Sequence, residues 1–104
     1  MTPPRLRVHP AAREEIRAAR RYYAARRAGL GRAFLAEVDA VLAFALEHPE
    51  LYPALDDSEP AVRRALLHRF PHALAYEVAA EASLVVLTCF DLRQEHAPDW
   101  QARR

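Results

Sequence analysis

The most apolar strand-like run in the chain is Leu84-Val85-Val86-Leu87-Thr88-Cys89-Phe90, and the fold can be predicted outward from it. An apolar run of this length is typical of a strand that is buried on both of its faces. We therefore expect a strand over Leu84–Asp91, and we expect it at the centre of a β-sheet. Cys89, the only cysteine, falls inside this run and is interpreted as ordinary core packing.

Two further strands precede this central one. Leu74, Tyr76 and Val78 alternate with small or polar residues, which is the period of a strand with one face in the core. Residues 62–70 also approach this period and predict another strand, and Pro71-His72 interrupts the chain between the two. A short turn joins the last two strands, so the three are expected to form a meander.

Two amphipathic helices occupy the first half of the chain. Pro10 suits the first turn of a helix, and Gly29 and Gly31 predict a break before a second helix that Pro49 ends. The first helix repeats small and apolar residues along one face: Ala12, Ile16, Ala19 and Tyr23. The second has a wider apolar face, formed by Phe34, Leu35, Val38, Val41, Leu42, Ala45 and Leu46. Both faces are expected to pack into the core.

The order of elements predicts an α+β domain that takes in residues 1–104. An alternating N-terminal strand over residues 5–8 comes first, then the two-helix hairpin, then the three-stranded meander and a short C-terminal tail. We expect the hairpin to cover one face of an antiparallel sheet. Periodicity does not give the order of the strands within that sheet.

Length and composition limit the class of protein. A chain of 104 residues with 52% hydrophobic residues can bury a core as one domain without disulfides or metal. The N-terminus has no apolar export segment, and no run reaches the roughly 18 apolar residues that a membrane span needs. We therefore expect a cytoplasmic protein that does not enter membranes.

Charge is segregated along the chain although the net charge is only +1. Residues 11–27 carry six Arg against two Glu, whereas residues 37–59 carry seven acids and no Lys or Arg. Residues 49–60 combine three of the prolines with several of these acids and predict an acidic surface loop. Such blocks suit either a charged partner or two solvated helix faces. All fifteen basic residues are Arg, which binds phosphate and carboxylate but does not serve as a proton-transfer base.

Several residues could carry chemistry, and each also has a structural interpretation. Charge could be stabilised by Arg63, Arg64, Arg69 and Arg93, and protons could be moved by His68, His72, His96 or Tyr76. The structural alternatives are hydrogen-bonded or surface histidines, core packing of Tyr76, a turn cap or ion pair at Arg69, and closure of the sheet end by Trp100. The histidines show no paired spacing that would bind a metal, and no cofactor motif is present.

The order of elements and several short motifs together resemble the RelE/ParE superfamily of toxins, from about Arg5 to Arg103. The motifs are His9-Pro10-Ala11-Ala12 with Glu15-Ile16, Tyr22-Tyr23, Gly29-Leu30-Gly31 with Phe34, His48-Pro49, Arg63-Arg64, Arg69-Phe70-Pro71-His72, Tyr76 with Val78, and a tail with Arg93, Pro98, Trp100 and Arg103. The tail departs from the usual pattern. Phe90 stands where many relatives have His, and the spacing from Arg93 to Pro98 is altered.

This resemblance implies the toxin of a bacterial type II toxin–antitoxin pair, a class associated with plasmid stabilization. It implies a cognate antitoxin whose C-terminal segment folds along the toxin. The residues expected to bind the antitoxin or the target are Arg13, Arg17, Arg20, Arg63, Arg64, Arg69, Arg93, Trp100 and Arg103.

The resemblance leaves three activities open. A ParE-like toxin binds and inhibits DNA gyrase and needs no catalytic set. A RelE-like toxin cleaves mRNA on the ribosome, and here it would rely on Arg63, Arg69, Arg93 and His96. An inactive relative would only bind its antitoxin. We favour the ParE-like activity, because the chain has no lysine and shows no evident acid–base pair.

Overall fold

A computed structural model describes residues 5–55, 57, 59–94 and 96–104. Its elements in chain order are β1 (Leu6–Val8), α1 (Pro10–Arg26), α2 (Leu30–Glu47), β2 (Val62–Leu66), β3 (His72–Val78), a 3₁₀ turn (Ala80–Ala82), β4 (Leu84–Asp91) and a C-terminal 3₁₀ helix (Trp100–Arg103). The predicted α+β class and the predicted bounds of the central strand are confirmed. Asp56 and Ser58 of the expected acidic loop lie outside the described residues.

The helix hairpin is set by a proline and two glycines. Pro10 opens α1, where the His9 ring Nδ1 accepts a hydrogen bond from the Ala11 N–H at 3.1 Å. Gly29 has φ of 82°, a left-handed conformation that favours glycine, and it turns the chain into α2. A Cβ at Gly31 would lie only 2.7 Å from the Arg20 carbonyl oxygen, so α2 begins in close contact with α1.

The sheet has the strand order β1-β4-β3-β2. The pairs β2–β3 and β3–β4 are antiparallel, which confirms the meander and the central position of β4. The expectation of a wholly antiparallel sheet needs one correction, because β1 pairs parallel with β4 and makes the sheet mixed. Two successive hairpins reverse the chain twice, so β4 runs in the same direction as β2, and β1 shares that direction. Side-chain periodicity contains no information about strand direction.

The second strand is shorter than predicted. It ends at Leu66 instead of Phe70, because the chain turns through a corner before His72 begins β3. The Glu37 carboxylate on α2 accepts hydrogen bonds from the backbone N–H groups of His68 and Arg69, the latter at 3.1 Å. Because of these hydrogen bonds, the corner contacts α2 and does not continue the strand.

The main core lies between the helices and one face of the sheet. Besides Gly31, the buried residues of the two helices are Ala12, Tyr23, Phe34, Val38, Val41, Leu42 and Ala45, which confirms both predicted apolar faces. Tyr76 is fully buried and donates a hydrogen bond from its hydroxyl to the Pro49 carbonyl at 2.8 Å, so its structural interpretation is confirmed. Cys89 is 3% exposed and packs in the same core.

A smaller apolar cluster lies within the meander and extends to the tail. Val62, Ala75 and Leu87 are buried there, and Trp100 of the C-terminal 3₁₀ helix packs against them. The tail therefore belongs to the folded domain, and Trp100 closes this part of the sheet as the sequence suggested. Among the described residues, no helix combines the length and apolar character that crossing a bilayer requires.

Candidate functional site

A cavity lies between α1 and the end of β4. Its volume is about 450 Å³, within the roughly 300–1,000 Å³ that is usual for ligand sites. Ala18, Ala19 and Tyr22 of α1 form one wall, and Cys89 and Asp91 of β4 belong to the other. The two alanines leave the space that larger helix side chains would fill.

The cavity borders an edge of β4 that no strand of the described residues covers. β1 pairs with β4 only as far as Val86, and the register shift opposite Ala75 and Tyr76 leaves Leu87 without a partner in β3. Beyond this bulge, alternate backbone groups of β4 point away from β3. An uncovered edge must have its polar groups satisfied in some other way.

Glu15, Thr88 and Arg103 satisfy part of this edge, and we call these three residues the edge clasp. The Glu15 carboxylate accepts hydrogen bonds from the Thr88 hydroxyl at 2.8 Å and the Cys89 backbone N–H at 3.2 Å. Arg103 donates to both Glu15 oxygens, at 2.8 and 3.1 Å, and to the Leu87 carbonyl at 2.9 Å. The clasp thus joins α1, β4 and the C-terminal 3₁₀ helix.

Asp91 and Arg93 lie at the rim of the cavity, and we call them the rim pair. The backbone N–H, Nε and Nη2 of Arg93 all donate to the Asp91 carboxylate, at 2.8, 3.0 and 2.7 Å. These hydrogen bonds lower the pKa of Asp91 to about 2. The Arg93 side chain is nevertheless 58% exposed, so its remaining N–H groups face solvent.

His72 lies beneath the rim pair in the wall of the cavity. Its ring is 6% exposed, and its Nε2 lies 3.0 Å from the Tyr23 hydroxyl. Burial lowers the pKa of His72 below its usual 6.5, which favours the neutral ring. Its Nδ1 is buried and has no hydrogen-bond partner among the described residues. The predicted structural role of His72 is therefore confirmed for Nε2, but it does not account for Nδ1.

The fold and this geometry can be compared with known proteins. A family model described as "ParE toxin of type II toxin-antitoxin system, parDE" matches residues 6–94. This chain belongs to the ParE toxin family. Among curated protein sequences none matches it significantly.

A solved structure described as "Chromosomal ParDE TA system from P. aeruginosa" is similar to this ParE-family chain. The TM-score is 0.60 at 14% sequence identity, and the match covers 88% of this chain and 98% of the other. At that identity the similarity establishes the shared fold only.

The predicted binding residues of this ParE-family chain fall into three separate regions. On α1 the Arg13, Arg17 and Arg20 side chains are exposed, and Arg17 lies 4.0 Å from the Glu14 carboxylate. Arg93 lies at the cavity rim, whereas Arg103 is only 17% exposed because it belongs to the edge clasp. Trp100 is half-buried beside it.

The third region is the basic corner of β2, where the arginines differ. Arg63 donates to the carbonyls of Glu50 at 3.2 Å and Tyr52 at 2.7 Å, and so holds the segment that follows α2. Arg64 lines a smaller cavity of about 220 Å³. Arg69 is exposed, with its guanidinium 5.6 Å from the centre of the Phe70 ring. The Arg69 backbone N–H, and not its guanidinium, contacts the carboxylate of Glu37 on α2.

The four residues considered for RNA cleavage do not share one element or one wall of a described cavity. Arg63 lies on β2, two strands from β4, and Arg93 follows β4 at the large cavity. His96 is exposed on the tail. Among the described residues no three His, Cys, Asp or Glu side chains group closely enough to hold a metal ion.

Glu15, Asp91 and the Tyr23–His72 contact were not predicted from the sequence as parts of a site. Glu15 and Arg103 are separated by 88 positions, and Tyr23 and His72 by 49, so no local spacing connects them. The only signal was the position of Glu15 beside the apolar face of α1, where a carboxylate needs a partner.

Proposed function

We propose that this protein is a growth-arresting toxin that binds and inhibits DNA gyrase in the cytoplasm and is neutralised by a cognate antitoxin. The observation that carries the proposal is the match to the ParE toxin family over residues 6–94. The ParE-like branch, which the sequence resembles, consists of toxins that act by binding. Such an activity requires an accessible surface and no catalytic set.

Two of the four candidate proton-transfer groups, Tyr76 and His72, are engaged in the core, which supports binding over RNA cleavage. Cleavage at a 2′-hydroxyl needs a group that moves a proton near neutral pH. Burial raises the pKa of Tyr76 to about 12, and its hydroxyl is already donated to Pro49. His72 is buried against Tyr23, and Arg103 is engaged by Glu15. These residues contribute to stability in their present positions.

The charge distribution supports an acidic partner along α1. The Arg13 and Arg20 side chains are exposed and point away from the core face of the helix. A segment that folds on binding can neutralise such a stripe and cover neighbouring apolar surface at the same time. We therefore propose that the antitoxin covers α1, with Arg64 and Arg69 as a second contact region.

Purified protein separates the possible activities directly. We expect inhibition of gyrase supercoiling by the protein, relief of that inhibition by the cognate antitoxin, and no cleavage of ribosome-bound mRNA. Codon-positioned cuts in translated mRNA that Arg93→Ala or His96→Ala abolishes would replace the proposal with a RelE-like activity. Normal growth on expression without the antitoxin would indicate an inactive relative.

The basic corner provides a matched set of variants for the binding surface. Arg64→Ala and Arg69→Ala should weaken toxicity or antitoxin binding while the unfolding free energy changes by about 0.5 kcal/mol or less, because both side chains reach solvent. Arg63→Ala should instead lower stability, because two backbone carbonyls lose their donor. A cooperative melt by circular dichroism distinguishes the two effects.

A further inference from the structure

The rim pair and His72 form an arrangement in which one hydrogen bond is missing. Asp91 and His72 are directly paired across β4 and β3, and the Leu92 N–H donates to the Pro71 carbonyl at 2.8 Å, which indicates a non-hydrogen-bonded pair. Side chains at such non-hydrogen-bonded positions stand close together on the same face of the sheet. The charge of Asp91 acts on the pKa of His72, and the reverse also holds. The carboxylate is nevertheless bonded to Arg93, and His72 Nδ1 has no described partner.

The protonation state of His72 follows from its neighbour. The Tyr23 hydroxyl is buried and lies 3.0 Å from His72 Nε2. The hydroxyl proton has an acceptor when Tyr23 donates to that nitrogen. A neutral ring whose Nε2 accepts carries its proton on Nδ1. The Nδ1–H of His72 is therefore a buried donor without an acceptor among the described residues. Buried donors are nearly always hydrogen-bonded, so this one needs an explanation.

We propose that the cavity between α1 and β4 binds a carboxylate attached to an apolar body, and that it does so by exchange at Arg93. The incoming carboxylate takes the place of Asp91 on the Arg93 guanidinium, and Asp91 turns to accept the hydrogen bond from His72 Nδ1. No net ion pair is lost in this exchange, and one buried donor becomes satisfied. Ala18, Ala19 and Tyr22 supply the apolar wall for the rest of the ligand.

The charges in the wall favour a carboxylate over a phosphate. Glu15 is compensated by Arg103, and Asp91 by Arg93, so the cavity is close to neutral before binding. A monoanion on Arg93 leaves one excess negative charge in the cavity, and the hydrogen bond from His72 Nδ1 stabilises the displaced Asp91 carboxylate. A phosphate dianion would leave two excess negative charges beside the Glu15 and Asp91 carboxylates, which is more unfavourable at short range. An acidic residue with an apolar neighbour in a partner peptide carries the required groups.

The exchange can be tested with small probes on the ¹⁵N-labelled protein. The probes are N-acetyl-L-leucine, its neutral amide and phenyl phosphate, and the observed nuclei are Arg93 Nε and the His72 ring nitrogens. We expect N-acetyl-L-leucine alone to shift Arg93 Nε and to protect the His72 Nδ1 proton from exchange with solvent. Equal binding of the amide, tighter binding of phenyl phosphate, or an unshifted Arg93 would each overturn the proposal.

Two variants with matched chemistry complete the test. Asp91→Asn removes the carboxylate that competes with the ligand for Arg93. Binding should become about fivefold stronger, which corresponds to the free energy of one exposed ion pair. Glu77→Gln removes the charge that faces Arg104, whose Nε lies 2.8 Å from Glu77, and should leave binding unchanged, since neither residue lines this cavity. Weaker binding in Asp91→Asn would contradict the exchange. The wild-type titration stands by itself if either variant folds poorly.

Discussion

The edge clasp and the rim pair both join an arginine to a carboxylate beside β4, with shortest N···O distances of 2.8 and 2.7 Å. Their surroundings differ. Arg103 and Glu15 have side chains 17% and 23% exposed and also bind a hydroxyl and two backbone groups of β4, whereas the Arg93 side chain is 58% exposed. The same kind of ion pair is therefore enclosed by the fold in one place and accessible to solvent in the other. Burial and additional partners decide which role applies.

The largest expected effect is that of removing the charge of Glu15. Glu15→Gln leaves Arg103 with a weaker partner in a partly buried site, and we expect a loss of about 2 kcal/mol in unfolding free energy by urea titration. Glu14→Gln is the matched control one residue earlier. Glu14 is 61% exposed and pairs with Arg17 and Arg21, so its loss should cost about 0.5 kcal/mol or less. Equal effects of the two substitutions would remove the distinction between the clasp and a surface ion pair.

A second, smaller effect is expected at Trp100, which anchors the segment that carries Arg103. Trp100→Ala uncovers the cluster of Val62, Ala75 and Leu87, and because Trp100 is only half-buried we expect a loss of about 1.5 kcal/mol. Leu92→Ala in the same tail removes a side chain that is 43% exposed and should change little. Equal unfolding free energies for Trp100→Ala and Leu92→Ala would mean that Trp100 does not stabilise the fold.

Acid should weaken the rim pair in a defined range of pH. The pKa of Asp91 falls to about 2 in the folded chain, below its usual 3.8, so its ionised form stabilises the native state. This contribution is complete above about pH 4 and is lost as the pH falls toward 2. We expect the stability difference between the wild type and Asp91→Asn to disappear over that interval in acid melts. A difference independent of pH would mean that the pair does not stabilise the fold.

The smallest effect should be seen at His72. Because burial lowers its pKa, the native ring takes up a proton less readily than the unfolded chain, so stability should decline slightly as the pH falls below 6.5. An NMR titration of the His72 ring is expected to give a midpoint below 6.5, and Tyr23→Phe should alter its Nε2 shift. A midpoint above 6.5 would mean that the Asp91 charge outweighs burial.

The helices and strands could be predicted from local patterns in the chain. The apolar run 84–90 predicted β4 with its observed ends, and Pro10, Gly29 and Pro49 predicted the limits of the helix hairpin to within a few residues. These features are local, because side-chain periodicity and backbone restriction act over a few positions. The same patterns overestimated β2, where Glu37 binds the corner from another element.

The candidate site, by contrast, depends on contacts between distant elements. The edge clasp needs a helix residue, a strand bulge and an arginine 88 positions away, and the rim pair gains its role from a histidine on the neighbouring strand. Strand direction, the uncovered edge of β4 and the burial of Arg103 depend on which elements meet. An arginine's burial and partners, and hence whether it serves the fold or a ligand, arise from contacts between distant parts of the chain and cannot be read from its neighbours in sequence.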